Sequence, residues 1–153
     1  MTDTQKLSHK NLWLFVNFTS LVAFVTLFSI AIISRNFIFL TGGFISLILL
    51  IISFNRLFMK TKVFAFVHRK ADDMDERELA LARNASQNAY TIFSISILSL
   101  ITVVLFALSF NVNLSILIEH TSILWLIMVG LIYFAHTLPA AIVLVYEEFP
   151  DFN

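Results

Sequence analysis

Four long runs without a formal charge dominate the chain, at residues 11–34, 36–55, 84–118 and 121–146, the last broken only by His136. A helix needs about 20 apolar residues to cross the hydrocarbon core of a bilayer. Backbone amides in lipid must be satisfied within the segment, and these glycine-poor runs show no alternation of period two. They therefore predict membrane helices rather than barrel strands, with spans at about 13–33, 37–54, 90–110 and 122–146. Ser34-Arg35-Asn36 reads as a tight turn joining the first two spans into a hairpin. Asn111-Val112-Asn113 is a second turn signal, and the apolar run 114–118 after it fits either an interfacial segment or a helix extension.

The polar stretch 59–89 is the longest connection. It starts basic, with Lys60, Lys62, Arg69 and Lys70, and reads as extended up to Lys70. It changes character at Ala71. Asp72 and Asp73 are good N-caps, Asp75 and Glu76 put negative charge in a first turn, and no Gly or Pro follows until well past the third span. This pattern predicts one helix from about residue 73 running without a break into the third span, with Asp73 and Arg77 as an i,i+4 pair. Arg77 is expected to turn back toward Asp73 or toward the acidic tail at Glu147 and Glu148.

Composition agrees with the pattern. Of 153 residues 59% are hydrophobic and 13% charged, with 17 Phe and a mean hydropathy of +0.89. A soluble domain has about 45–50% apolar and about 25% charged residues, and one this small leaves much of its surface exposed. Soluble, disordered and disulfide-framework classes are thereby excluded, which leaves a single all-α integral membrane domain, 1–153, read as a four-helix bundle. Ten basic and ten acidic residues cancel. Their placement does not: nine of the ten basic residues lie in the amino-terminal tail or the central loop, and only Arg35 lies on the other side. By the positive-inside rule both termini and the loop are cytoplasmic. The first apolar run is too long for the core of a signal peptide.

Chemistry is sparse. Without cysteine there is no disulfide, thiolate ligand or thiol nucleophile. No metalloprotease, nucleophile-elbow or phosphate-loop motif occurs, and the acidic group at 72–78 lacks the glycine turn and closing Glu of a calcium loop. No catalytic set, metal set or cofactor is read from the sequence, and nothing points to nucleic acid. Tyr133 aside, His136 is the one titratable candidate deep within a span, counted at about 16 Å from Glu147 and so near the midplane, and Pro139 three residues on predicts a kink beside it. Its bland alternative is a neutral imidazole bonded to a nearby hydroxyl or backbone carbonyl. Asn17 heads a stripe with Ser20 and Ala31, while Gly42 with Ser46, and Ser96 with Ser99 and Ala107, mark other helix faces. Such residues serve close packing more often than a solute path. Glu119 and His120 are outer-face candidates for a metal or proton relay. Sixteen residues separate His120 from His136, about 24 Å along one helix, so the two do not clamp a haem; His9 and His68 lie in polar segments.

Asp75-Glu76-Arg77, then Arg83, Ala85-Ser86 and Ala89-Tyr90 entering a span, with Leu138-Pro139 and Glu147-Glu148 later, resembles a family of small prokaryotic four-helix membrane proteins. These carry a cytoplasmic Asp-Glu-Arg motif before the third span. The resemblance implies the architecture, a multi-pass protein of the cell (cytoplasmic or inner) membrane of a prokaryote, and supplies no activity, the family being of unknown function. Asp75, Glu76, Arg77 and Arg83 are candidate interaction or structural residues, the cytoplasmic helix serving as a docking element or as a brace that ties the loop to the bundle. The expected partners are the lipid bilayer and a second protein or further copies of the chain. The sequence points to an accessory or interaction subunit, with a small homo-oligomeric transporter or channel coupled through His136 as the alternative.

Overall fold

The computed structural model describes residues 3–109 and 119–146. The turn expected at 111–113, the apolar run 114–118 and the acidic tail Glu147-Glu148 lie outside the described residues. Long helices account for most of the rest: α1 (Asp3–Ser34), α2 (Phe37–Phe54), α4 (Glu76–Ser109) and α5 (Thr121–Tyr146), with a short α3 (Val63–Val67) in the central connection. No strand occurs among the described residues. All four long helices are long and apolar enough to cross a membrane.

Local chemistry sets the turns. Arg35 terminates α1 in the left-handed region (φ 52°), its N–H donating to the Ala31 carbonyl at 2.8 Å. Asn36 then caps α2 by accepting the Ile38 N–H on its side-chain oxygen at 2.9 Å. At the other end α2 passes into a π-helical turn, Asn55–Met59, closed by the Lys60 N–H on the Asn55 carbonyl at 3.0 Å.

The helices pack in the order α2, α1, α5, α4, each chiefly on its neighbours in that row. Close approach of α1 and α2 depends on Gly43. A Cβ at that position would come within 2.6 Å of Cε2 on the Phe28 ring. Ala82, Ala85 and Ala89, spaced on one face of α4, are buried together with Ala140 and Ala141 of α5, as expected where membrane helices meet through small residues. Beyond Ala89 the partners run out. Only 6% of the apolar window of α4 is buried against 39% for α5. Ile95, Leu98, Val103 and Phe106 are each exposed by 60% or more. Such a surface suits lipid and not water.

The central connection is not extended, which corrects the reading of its basic half. Phe58 and Val63 are completely buried, in one cluster with Leu57, Leu14 of α1, Ala85 and Ala89 of α4, and Leu138, Val143 and Leu144 of α5; Phe66 is nearly buried as well. Apolar side chains interleaved with the lysines pull the segment back onto the helix ends, because leaving them in water forfeits about 1.5–3 kcal/mol each. The hydrophobic core thus sits at the loop end, and all four helices converge there.

The start of α4 also differs from expectation. Asp73 belongs to a 3-10 turn (Ala71–Asp73), Met74 is extended (φ −112°, ψ 143°), and the helix begins at Glu76. The cap is Asp75. Its carboxylate accepts the Glu78 N–H at 2.7 Å, and the Glu78 side chain accepts the Asp75 N–H at 3.4 Å. This reciprocal box satisfies two otherwise orphaned donors, which neither Asp72 nor Asp73 achieves. Asp73 and Arg77 are therefore not an i,i+4 pair on one helix.

Candidate functional site at the loop end of the bundle

Three layers of polar chemistry lie at this end. The deepest is a node among three helices. Asn17 of α1 is fully buried. Its side-chain amide donates to Ser53 Oγ of α2 and to the Tyr133 hydroxyl of α5, both at 2.9 Å. Tyr133 returns a hydrogen bond to Asn17 Oδ1 at 3.2 Å, and Ser53 donates to the Leu50 carbonyl at 2.9 Å. No buried side-chain nitrogen or oxygen among the described residues lacks a partner. Both amide donors of Asn17 and its side-chain oxygen thus have partners within the protein. The crevice of about 260 Å³ between α1, α2 and α5 is lined by Leu21, Phe24, Leu50, Phe54, Val129 and Tyr133 among others, and is apolar. Ser20 and Ala31 are buried on the same side of α1, whereas Ser96 and Ser99 of α4 are exposed. Ser96 turns its hydroxyl to the Ile92 carbonyl.

An aromatic layer follows. Phe54 meets Phe58, Phe64 and Tyr133 at ring-centre distances of 5.4, 5.6 and 5.9 Å. Such offset or edge contacts add about 0.5–1.5 kcal/mol beyond the area they bury. Phe134 bridges the row, touching Phe18 of α1 at 5.7 Å and Phe93 of α4 at 6.3 Å. At the rim, the Arg56 guanidinium lies 4.6 Å over the Trp13 ring.

The outermost layer holds the titratable groups. His136 is exposed, one turn from Tyr133 on the loop side, and its Nδ1 bonds the Ile132 carbonyl at 2.9 Å. Tyr133 contacts Asn17, and Asn17 is seven residues, about 10 Å, from Lys10 along α1. His136 therefore lies close to the charged end and does not stand alone in mid-span. It has company: the His68 ring is parallel to it within 4°, at 6.3 Å between centres. Sequence reading treated His68 as part of a polar segment and missed this pairing, because nothing local relates residues sixty-eight positions apart.

Asp75, Glu76, Arg77 and Arg83 are all exposed. Among the described residues Arg77 makes no ion pair with Asp73; the ion pair found here is Arg69 with Glu78, at 3.6 Å. Both partners are partly solvated, so it is worth less than about 1 kcal/mol. Glu119 is exposed and His120 half-buried beside the start of α5, where the His120 carbonyl accepts the Ile123 N–H at 2.8 Å. The structure does not bring these two to His136. No group of three or more His, Asp or Glu suited to a metal ion occurs among the described residues.

No family model, curated protein or solved structure matches the chain.

Proposed function

We propose that the protein is an accessory or interaction subunit of the cell (cytoplasmic or inner) membrane, with both termini and the loop end on the cytoplasmic side, docking a protein partner through the first turns of α4. One observation carries this reading. Ala82, Ala85 and Ala89 fasten one face of α4 to the core, while Glu76, Arg77 and Arg83 are exposed around the rest of it. A helix of 34 residues is roughly 50 Å long, against a hydrocarbon core of about 30 Å. Its amino-terminal turns thus extend well beyond a membrane span, as a rigid arm with alternating charge.

A transporter coupled through His136 fits less well. Asn17 is occupied by Ser53 and Tyr133, the three-helix crevice is apolar, and His136 faces the rim. Affinity purification in mild detergent tests the proposal. The Glu76→Arg/Arg77→Glu variant should stay folded and lose a stoichiometric partner that the unaltered chain retains. Recovery of the chain as a homo-oligomer alone, unchanged by that variant, would refute it.

A further inference from the structure

We infer that His68 and His136 together bind a late first-row divalent metal ion, Cu(II) most tightly, at the seam between α3 and α5. The argument begins with the ring nitrogens. His68 Nδ1 lies 2.9 Å from the Phe64 carbonyl and His136 Nδ1 lies 2.9 Å from the Ile132 carbonyl, each four residues back on its own chain segment. A carbonyl oxygen only accepts, so in both neutral rings the hydrogen sits on Nδ1 and the lone pair on Nε2. Neither Nε2 has a partner within the described protein, and both side chains are exposed. A backbone carbonyl holding one ring nitrogen while the other is left free is how ligating histidines are oriented and made more basic.

Position and rigidity agree with this. Ring centres 6.3 Å apart are within reach of two imidazoles sharing one ion through bonds of about 2.0–2.1 Å. The His68 ring stacks on Phe64 at 4.3 Å and 28°, and Phe64 is itself packed on Phe54, so His68 is presented from the aromatic layer. His136 is fixed on α5. Arg69, next to His68 in the chain, has its charge paired with Glu78 at 3.6 Å.

Donor type sets selectivity. Two neutral imidazoles without thiolate or carboxylate suit Cu(II), Ni(II) and Zn(II), rising to Cu(II) in the general affinity order, and do not suit Mg²⁺ or Ca²⁺. With two protein ligands from the described residues the other coordination positions are left to water or an exchangeable ligand, so the ion is exchangeable and not a folding element. This inference is independent of what docks on α4.

The test uses the full chain in detergent micelles, purified without a histidine tag and titrated with Cu(II), read by electron paramagnetic resonance and by competition with a chelator. One Cu(II) per chain is expected, with hyperfine splitting from two imidazole nitrogens. Ni(II) should bind more weakly at the same residues. His68→Gln and His136→Gln should each weaken binding at least tenfold, and the double variant should bind no more than a few-fold worse than the weaker single. His120→Gln should leave it unchanged. Splitting from a single nitrogen, insensitivity to both substitutions, or loss with His120→Gln would overturn the inference. The nitrogen count on the unaltered protein decides the matter even where a variant fails to fold.

Discussion

Substitution of Asn17 by leucine, which keeps the number and branching of side-chain heavy atoms while removing every hydrogen-bonding atom, probes how three helices are held together. Asn17 makes two donated bonds of 2.9 Å and accepts one of 3.2 Å. Interhelical hydrogen bonds in membrane proteins average about 0.6 kcal/mol and reach about 1.7, so three together contribute about 2 kcal/mol. The losses fall unequally on the partners. Ser53 keeps its donated bond to the Leu50 carbonyl, whereas the Tyr133 hydroxyl loses the partner to which it donates and from which it accepts. An unsatisfied hydroxyl in this half-buried place costs about 1 kcal/mol. Tyr133→Phe alone should cost about 1 kcal/mol. In the Asn17→Leu background it should cost almost nothing, because the hydroxyl has already been orphaned, giving a coupling of at least about 0.5 kcal/mol. Equilibrium unfolding by SDS in mixed micelles measures this. Trp13, one turn from Asn17, and Trp125 of α5 are the fluorescent reporters, and the chain has two tryptophans in all. Strict additivity of the two substitutions, or a Tyr133→Phe variant as stable as the unaltered chain, would refute the node as a stabilising element.

Gly43→Ala should destabilise the α1–α2 hairpin by about 1–3 kcal/mol, since the new methyl meets the Phe28 ring; Phe28→Leu in the same chain should recover part of it, in the same unfolding assay. Asp75→Ala removes the cap of α4 and should cost about 1 kcal/mol, visible as faster amide exchange in the first turn of α4 with little change at Ala85 or Ala89. Glu78→Gln keeps the side-chain acceptor for the Asp75 N–H and loses the Arg69 pair, so it should change stability by less than about 0.5 kcal/mol. Because the chain has no cysteine, single cysteines at Ser34 and Ala71 report the orientation directly. An impermeant maleimide should label the first in intact cells and the second after permeabilisation, and the reverse would invert the proposed topology.

What the chain determines by itself is whatever depends on neighbours in sequence. Four uncharged runs are enough for four helices of membrane length, because hydropathy is additive along a segment and a backbone in lipid must bond within itself. The Ser34-Arg35-Asn36 turn is equally local, since a left-handed residue and an Asn cap need nothing from elsewhere. Four aspartate and glutamate residues between 72 and 76 all resemble cap or first-turn chemistry, and local pattern does not rank them. The choice of Asp75 came from the reciprocal bond with Glu78 and from the loop folded ahead of it. The basic stretch up to Lys70 reads as extended, yet Val63 within it and Phe58 just before it are completely buried members of the core. Their burial depends on a cavity that exists only once α1, α4 and α5 have converged. Asn17 could be read as a packing residue on one helix, but its partners Ser53 and Tyr133 follow from how the helices rotate about their axes. The meeting of His68 with His136 is of the same kind. Helix rotation and axial offset are set by the interlocking of side chains such as Phe28 on Gly43 and Phe134 between Phe18 and Phe93. No period along a single segment encodes those angles, so only the tertiary structure decides which polar groups meet.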